Sequence, residues 1–390
     1  MPEQSPSQLI NDRQTAAKNK DAKTLSKISA DFRRRLLTTA AAIIGLAPVA
    51  LAQSSAVNGT DPETFFVLNN PTDPMFNQLL GINNGHVIVG YYGDGMAIPN
   101  NGYVLVPSNH YSVEKFANLP TGDTASQTQA IGINNNRCVD MVCSFPDIVG
   151  FYTDKATGFT HGFLDSFKIN INNGGPPPTH TQSAIDDPLG LPPHVTTPVQ
   201  NLLGINNALT AAGFWTDNAA HEHGFVVEIN SQTPGSSKFI ELPSTGIFAK
   251  AVATQASDIN NENLVCGFWT DANDNNHAFE AFFDPGTGTF TSAFELVPKI
   301  PNVTAKSTSA FGCNDKGEVV GSFIDGKGNV HGFVFDSADW HRYDAAGSSQ
   351  NPAFGVMGTF INGINNDGNI VGFFSDGDNV NGFVDFAPVP

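Results

Sequence analysis

The tripeptide Gly-Ile-Asn, or a close variant of it, recurs six times at nearly constant spacing, and a chain so divided folds as an array of like units. The copies are Gly81-Ile82-Asn83, Gly132-Ile133-Asn134, Gly204-Ile205-Asn206, Asp258-Ile259-Asn260, Gly312-Cys313-Asn314 and Gly363-Ile364-Asn365, separated by 51, 72, 54, 54 and 51 residues. Each precedes a small apolar run that ends in glycine (Gly90, Gly150, Gly213, Gly267, Gly321, Gly372). Four residues beyond that glycine stands an aspartate: Asp94, Asp154, Asp217, Asp271, Asp325 or Asp376. Five to seven residues later comes Asn101, His161, His223, His277, His331 or Asn381, then a small residue and an aromatic.

Each unit reads as four short strands. The first ends at the tripeptide, and the polar cluster behind it, Asn365-Asn366-Asp367-Gly368 in the last copy, supplies the left-handed dihedrals of a tight hairpin. The second, Ile370–Phe374, is apolar on both faces, as a strand sandwiched between neighbouring sheets must be. A polar turn leads to the third, His331–Phe335 in the fifth copy, and a looser segment such as Phe239–Pro243 makes the fourth. No stretch of the repeat sustains helical periodicity. The fold class is therefore all-β: a six-bladed β-propeller of four-stranded blades over residues 62–390. The last copy stops after its third strand, while Glu63–Pro71 resembles an orphan fourth strand. If that N-terminal strand completes the last blade, the ring closes and no edge stays open.

Residues 1–52 read as an export signal with a disordered leader, and residues 53–61 as a linker. Arg33-Arg34-Arg35-Leu36-Leu37 opens an apolar run that ends at the small-residue site Ala50-Leu51-Ala52. Consecutive arginines before two leucines resemble a twin-arginine signal, with the general secretory route as the alternative. The apolar run is short for a membrane span, so no transmembrane anchor is expected after cleavage. The destination is periplasmic or extracellular. Residues 1–52 hold eight Lys/Arg and four Asp/Glu, so the remaining 338 residues carry a formal charge of −22 against −18 for the whole chain. Such a surface repels nucleic acid.

Cys138 and Cys143 flank an insertion, Asn136–Asp147, in the first hairpin of the second unit, and a local disulfide between them suits an oxidising destination. Cys266 and Cys313 replace Val371 and Ile364 of the last copy and read as core residues. The pairs Phe214-Trp215 and Phe268-Trp269 read as blade-to-blade packing, whereas Trp340, just ahead of a fourth strand, is expected to be more exposed. Lys168–Pro178 and the Pro-rich Leu189–Val199 read as irregular loops.

The six aspartates and their His or Asn partners flank equivalent turns and form a crown on one face. Three readings of it compete. In the structural one, each aspartate caps its own turn and bonds the imidazole or amide across the hairpin. In the second, Asp271, Asn273 and Asn275 have the oxygen spacing that begins a calcium loop, so Ca²⁺ or another divalent metal is the cofactor considered, although no bidentate Glu follows. In the third, His221 and His223 share one side of a strand and hold a catalytic metal. No catalytic motif of the nucleophile-elbow, zinc-protease or P-loop kind occurs.

The pattern G-I-N-[ND]-x-G-x-[IV]-V-G-x-[FY]-x-D…H-G-F, with His277-Ala278-Phe279 as one copy, resembles the HAF family of bacterial extracellular repeats over residues 62–390. Asp258, Cys313, Asn101 and Asn381 depart from it. The resemblance implies an exported bacterial protein and no defined activity. The expected function is a monomeric, exported propeller that binds a ligand, carbohydrate or envelope protein or serves a structural role. The alternative is an exported metal-dependent enzyme of the lactonase or lyase kind, with its site at the axial opening.

Overall fold

The computed structural model describes residues 64–106, 112–115, 125–135, 137–139, 142–144, 146–170, 179–300 and 303–386. Residues 1–52 and 53–61, read above as an export signal and a linker, and the Cys138 and Cys143 side chains lie outside the described residues, as do residues 171–178 of the second-unit insertion.

A bulge shapes every blade. The first two strands slip register at the same place in all six units, between Leu79 and Gly81 in the first and between Ala256 and Asp258 in the fourth. Opposite the slip lies the glycine that ends the second-strand run. A Cβ on Gly90 would stand 2.1 Å from the Gln78 carbonyl oxygen, so no larger residue fits. The aromatic of the third strand fills the space beneath. Tyr103, Phe163, Phe225, Phe279, Phe333 and Phe383 are none of them more than 1% exposed.

The blades are antiparallel sheets in chain order. Blade 1 is β2 (Asn77–Ile82), β3 (Ile88–Tyr92), β4 (Asn101–Val106) and β5 (Ser112–Lys115). Blade 3 is β12 (Gln200–Ile205), β13 (Thr210–Thr216), β14 (Glu222–Glu228) and β15 (Lys238–Glu241). Blade 4 is β16 (Ala253–Ile259), β17 (Leu264–Thr270), β18 (Asn276–Asp284) and β19 (Thr289–Glu295). Blade 5 is β20 (Ala305–Cys313), β21 (Val319–Asp325), β22 (Val330–Phe335) and β23 (Trp340–Tyr343). Blade 6 is β24 (Thr359–Ile364), β25 (Ile370–Ser375) and β26 (Val380–Asp385), completed by β1 (Phe65–Val67) from the other end of the chain.

Blade 2 contains β6 (Ala125–Ile133), β9 (Ile148–Asp154), β10 (Thr160–Asn170) and β11 (Thr179–Ala184). Between β6 and β9 its insertion forms the hairpin β7 (Arg137–Val139) and β8 (Val142–Ser144), in which Cys138 and Cys143 are directly opposite each other. The first strand of each blade touches those of both neighbours, β24 against β2 included, so the six line a central axis and the ring is closed.

The orphan strand closes the ring as expected: Phe65 pairs with Asp385 and Val67 with Phe383. Three local expectations change. Lys168-Ile169-Asn170 is strand, because the Cys138–Cys143 hairpin continues the sheet outward and pairs Ile169 with Cys143. The Pro-rich segment begins with a short 3₁₀ turn, Pro188–Gly190, capped by the Asp187 carboxylate, rather than being irregular throughout. Trp340 opens β23 and is buried, wedged against Phe333 and Phe335 at ring distances of 4.8 and 5.0 Å. Cys266 and Cys313 are buried free thiols, and Phe214, Trp215, Phe268 and Trp269 are buried too.

Candidate functional site

At the end of the axis where the tripeptides turn, two hydrogen-bonded rings run through all six blades. The side-chain Nδ2 of Asn83 donates to the Asn134 carbonyl, Asn134 to Asn206, Asn206 to Asn260, Asn260 to Asn314, Asn314 to Asn365, and Asn365 back to Asn83, at 2.7–3.2 Å. The same residues keep Oδ1 for their own hairpins: Asn365 Oδ1 accepts from the N–H groups of Asp367 and Asn369. One residue further along, a second ring closes. The backbone N–H of Asn84 donates to Asn135 Oδ1, and the series runs through Asn207, Asn261, Asp315 and Asn366 back to Asn84 at 2.8–2.9 Å. Turn chemistry alone accounts for Asn at these positions, which is why sequence reasoning did not assign the rings. The signal available was an amide-bearing residue or its acid directly after the tripeptide in every copy (Asn84, Asn135, Asn207, Asn261, Asp315, Asn366).

The crown lies on the opposite face, at the turns between second and third strands. Each aspartate bonds its own turn. Asp94 Oδ1 accepts from the N–H groups of Met96, Ala97 and Ile98, which lower its pKa, Ile98 foremost. Asp154 accepts from the N–H and hydroxyl of Thr157, and Asp376 from the N–H groups of Asp378 and Asn379 and the Asn381 amide. Asp325 is held at about 2, because the Asn329 N–H and amide and the Lys327 N–H outweigh the cost of its burial. In blade 4, Asp271 accepts from the N–H groups of Asn273 and Asn275, and His277 Nε2 lies 3.5 Å from its second oxygen. The Asn275 N–H is the first cause of its lowered pKa.

The crown histidines are clamped rather than open. His277 lies flat on Trp269 with ring centres 4.0 Å apart, and its Nδ1 meets Glu295 at 3.0 Å. His223 lies the same way on Trp215 at 4.2 Å. His161 Nδ1 is 2.6 Å from Asp186, and His331 Nδ1 is 2.7 Å from Asp344. His221 and His223 both face the Asp217 carboxylate, at 3.6 and 3.3 Å, so that pair serves one acid of its own hairpin. The structure thus places the crown residues in six separate hairpins. Among the described residues, no three His, Cys, Asp or Glu side chains gather as a metal site requires.

The repeat breaks down at the axis. Behind the asparagine rings the first strands line an axial chamber of about 240 Å³. Its polar lining comes from Gln78, Gln129, Gln255, Ser257, Asp258 and Asn362. Phe151, Phe311, Leu80 and Leu203 form apolar wall. Five tripeptides begin with glycine, which lets neighbouring first strands touch: a Cβ on Gly81 would stand 2.5 Å from the Ile131 carbonyl. In blade 4 that residue is Asp258. Its Oδ1 accepts from the Ile259 N–H at 2.8 Å and its Oδ2 from the Cys313 N–H of the next blade at 3.0 Å. Asp258 also borders a smaller cleft of about 60 Å³ among the asparagine rings, so it stands between the two spaces. As a residue Asp258 is half-buried. Burial pushes its pKa up to about 6, helped by the charge of Asp315 and opposed by the two N–H groups.

This sets the sign of a pH effect. A carboxyl whose folded pKa lies above its unfolded value destabilises the fold while ionised, and the penalty disappears as pH falls through about 6 toward about 4. A shift of about two units corresponds to about 3 kcal/mol at most, less where the chamber is wet. Asp258→Gly installs the residue that five blades already carry. Melting temperatures of the two proteins at pH 7.5 and 4.5 should show the wild type gaining on the variant by a few degrees at the lower pH. A constant difference would place the carboxylate in ordinary solvent.

No protein-family model matches this chain, and no curated protein matches it. Among solved structures, it is similar to a luciferin-regenerating enzyme at 10% identity, covering 80% of this chain and 91% of that one, with a TM-score of 0.41. It is also similar to dipeptidyl peptidase 4 of Porphyromonas gingivalis at 8% identity, covering 77% and 44%, with a TM-score of 0.31. Neither likeness bears on what this chain binds.

Proposed function

We propose that this chain is an exported propeller that holds a small ligand in its axial chamber. The observation that carries the reading is the departure from the repeat at the chamber: Asp258 replaces glycine, and Ser257 and Asn362 stand where the other blades place Leu80, Ile131, Leu203 or Phe311. A chamber kept only for packing needs no carboxylate, and a desolvated one costs free energy wherever it is not put to use. Recurrence in every blade argues the other way for the crown, whose polar groups are engaged in their own turns or by carboxylates of their own blade. Export rests on Arg33–Arg35, the apolar run and Ala50-Leu51-Ala52.

Two experiments test it. Exported protein should begin at Gln53, and changing Arg33 and Arg34 to lysine should leave it in the cytoplasm if the twin-arginine route is used. For binding, Ser257→Leu/Asp258→Gly rewrites blade 4 as the Leu203-Gly204 of blade 3. A panel of small amines, polyols, carboxylates and calcium should contain at least one class that raises the melting temperature of the wild type and not of this variant. If no compound distinguishes the two proteins, the chamber is not a binding site.

A further inference from the structure

We infer that the chamber takes a small organic cation, a primary ammonium group on a short apolar body; this rests on the reading of the chamber as the binding site. Asp258 is the single charged residue in its lining, which contains no Lys, Arg or His. Two further charges close by are also negative: Asp315 lies close enough to raise the Asp258 pKa, and Glu222 is bonded at 2.6 Å to the Gln255 amide on the chamber wall. An anion would enter against all three.

Two buried side-chain oxygens on the lining, Ser257 Oγ and Asn362 Oδ1, have no hydrogen-bond partner, and the Ser257 residue is only 4% exposed. Neither oxygen presents surface to the chamber as the side chains stand, and leaving a buried acceptor unmade costs about 1–3 kcal/mol, so a donor in the chamber that draws either side chain round recovers that cost. An ammonium group has three donors and no acceptor. The lining offers what it lacks: a carboxylate and two idle oxygens.

The rest of the chamber suits the body of such a molecule. Phe151, Phe311, Leu80 and Leu203 supply apolar wall, and aromatic faces attract a cation as well as a hydrocarbon. A cavity of about 150 Å³ holds benzene, so about 240 Å³ admits a somewhat larger molecule. Calcium fits less well, because it takes 6–8 oxygens, commonly from more than one carboxylate, and the chamber has one carboxylate. The formal charge of −18 on the chain draws cations generally, and so supplies encounter rather than selectivity.

The test is calorimetry at pH 8 on the exported protein, on Asp258→Gly and on Ser257→Leu/Asp258→Gly, each first shown to melt cooperatively. The probes are benzylamine against benzyl alcohol, n-butylamine against n-butanol, and calcium chloride. The wild type should bind each amine at least tenfold more tightly than its alcohol. Asp258→Gly should lose that preference, and the double variant should lose both ligands. Alcohols bound as tightly as amines, or calcium bound in place of both, would overturn the ammonium assignment and leave the chamber reading intact. Amines bound equally by all three proteins would overturn the assignment and the chamber together.

Discussion

Asn365→Ala should destabilise the fold by about 3–5 kcal/mol, out of proportion to one polar residue in a turn. Asn365 is 3% exposed and makes three hydrogen bonds that water cannot replace. Two hold its own hairpin through the Asp367 and Asn369 N–H groups, and the third crosses to the Asn83 carbonyl, joining the last blade to the first. Each bond is worth about 1 kcal/mol net, and stranding a buried partner costs about 1–3 kcal/mol more. For a domain of this size the melting temperature should fall by roughly 5–8 °C. Asn365→Asp separates the two roles. It keeps the acceptor oxygen for the hairpin but turns a donor into a second acceptor facing the Asn83 carbonyl. It should be at least as damaging at neutral pH and should recover in acid, where the protonated carboxyl can donate again. Equal melting of all three proteins would mean that the ring is geometry without energy.

Phe65→Ala should cost about as much, about 3–5 kcal/mol, for a different reason. Phe65 is 3% exposed, and its ring stacks on Phe383 at 5.5 Å and touches Phe374 at 6.4 Å. It is the anchor of a three-residue strand that supplies the last blade's fourth strand from the far end of the chain. Losing the ring leaves a cavity in blade 6 and weakens the pairing that covers the edge of β26. Phe66, on the other face of β1, meets the Phe386 ring at 6.0 Å at the margin of the core between blades 6 and 1 and stays partly exposed. Its substitution by alanine should cost clearly less. A shortened protein that starts at Leu68 should expose β26 and self-associate, which size-exclusion chromatography would detect. If Phe65→Ala and Phe66→Ala melt alike, the closing strand is not what secures the ring.

The architecture was legible because it is written six times. One Gly-Ile-Asn would be a turn; six in register required six equivalent hairpins, and the missing fourth strand at Pro390 pointed back to Phe65. The asparagine rings escaped because Asn83 and its counterparts do two jobs at once. The local job, capping a hairpin, was enough to explain them, and the bond to the next blade depends on how blades meet. Trp340 and Lys168–Asn170 were misjudged for a related reason: both lie where one unit departs from the others, so the repeat carried no information about them.

The chamber shows the same limit. Asp258 stood out as a departure from the tripeptide, yet its sequence neighbours did not reveal that Gln78, Gln129 and Asn362, from other blades, face the same space. Recurrence drew attention to the crown, and recurrence is what hairpin chemistry produces. The residues that differ between blades carry the candidate site, because a ring of identical units has no reason to place a charge in the chamber from one blade alone.

The most direct measurement is a crystal structure of residues Gln53–Pro390, grown at pH 8 and soaked with benzylamine. Density for the amine inside the chamber, with its nitrogen within hydrogen-bonding distance of the Asp258 carboxylate, is the result this account predicts. A chamber closed by the Gln78 and Gln255 side chains, or an amine bound only on the outer face, would contradict it.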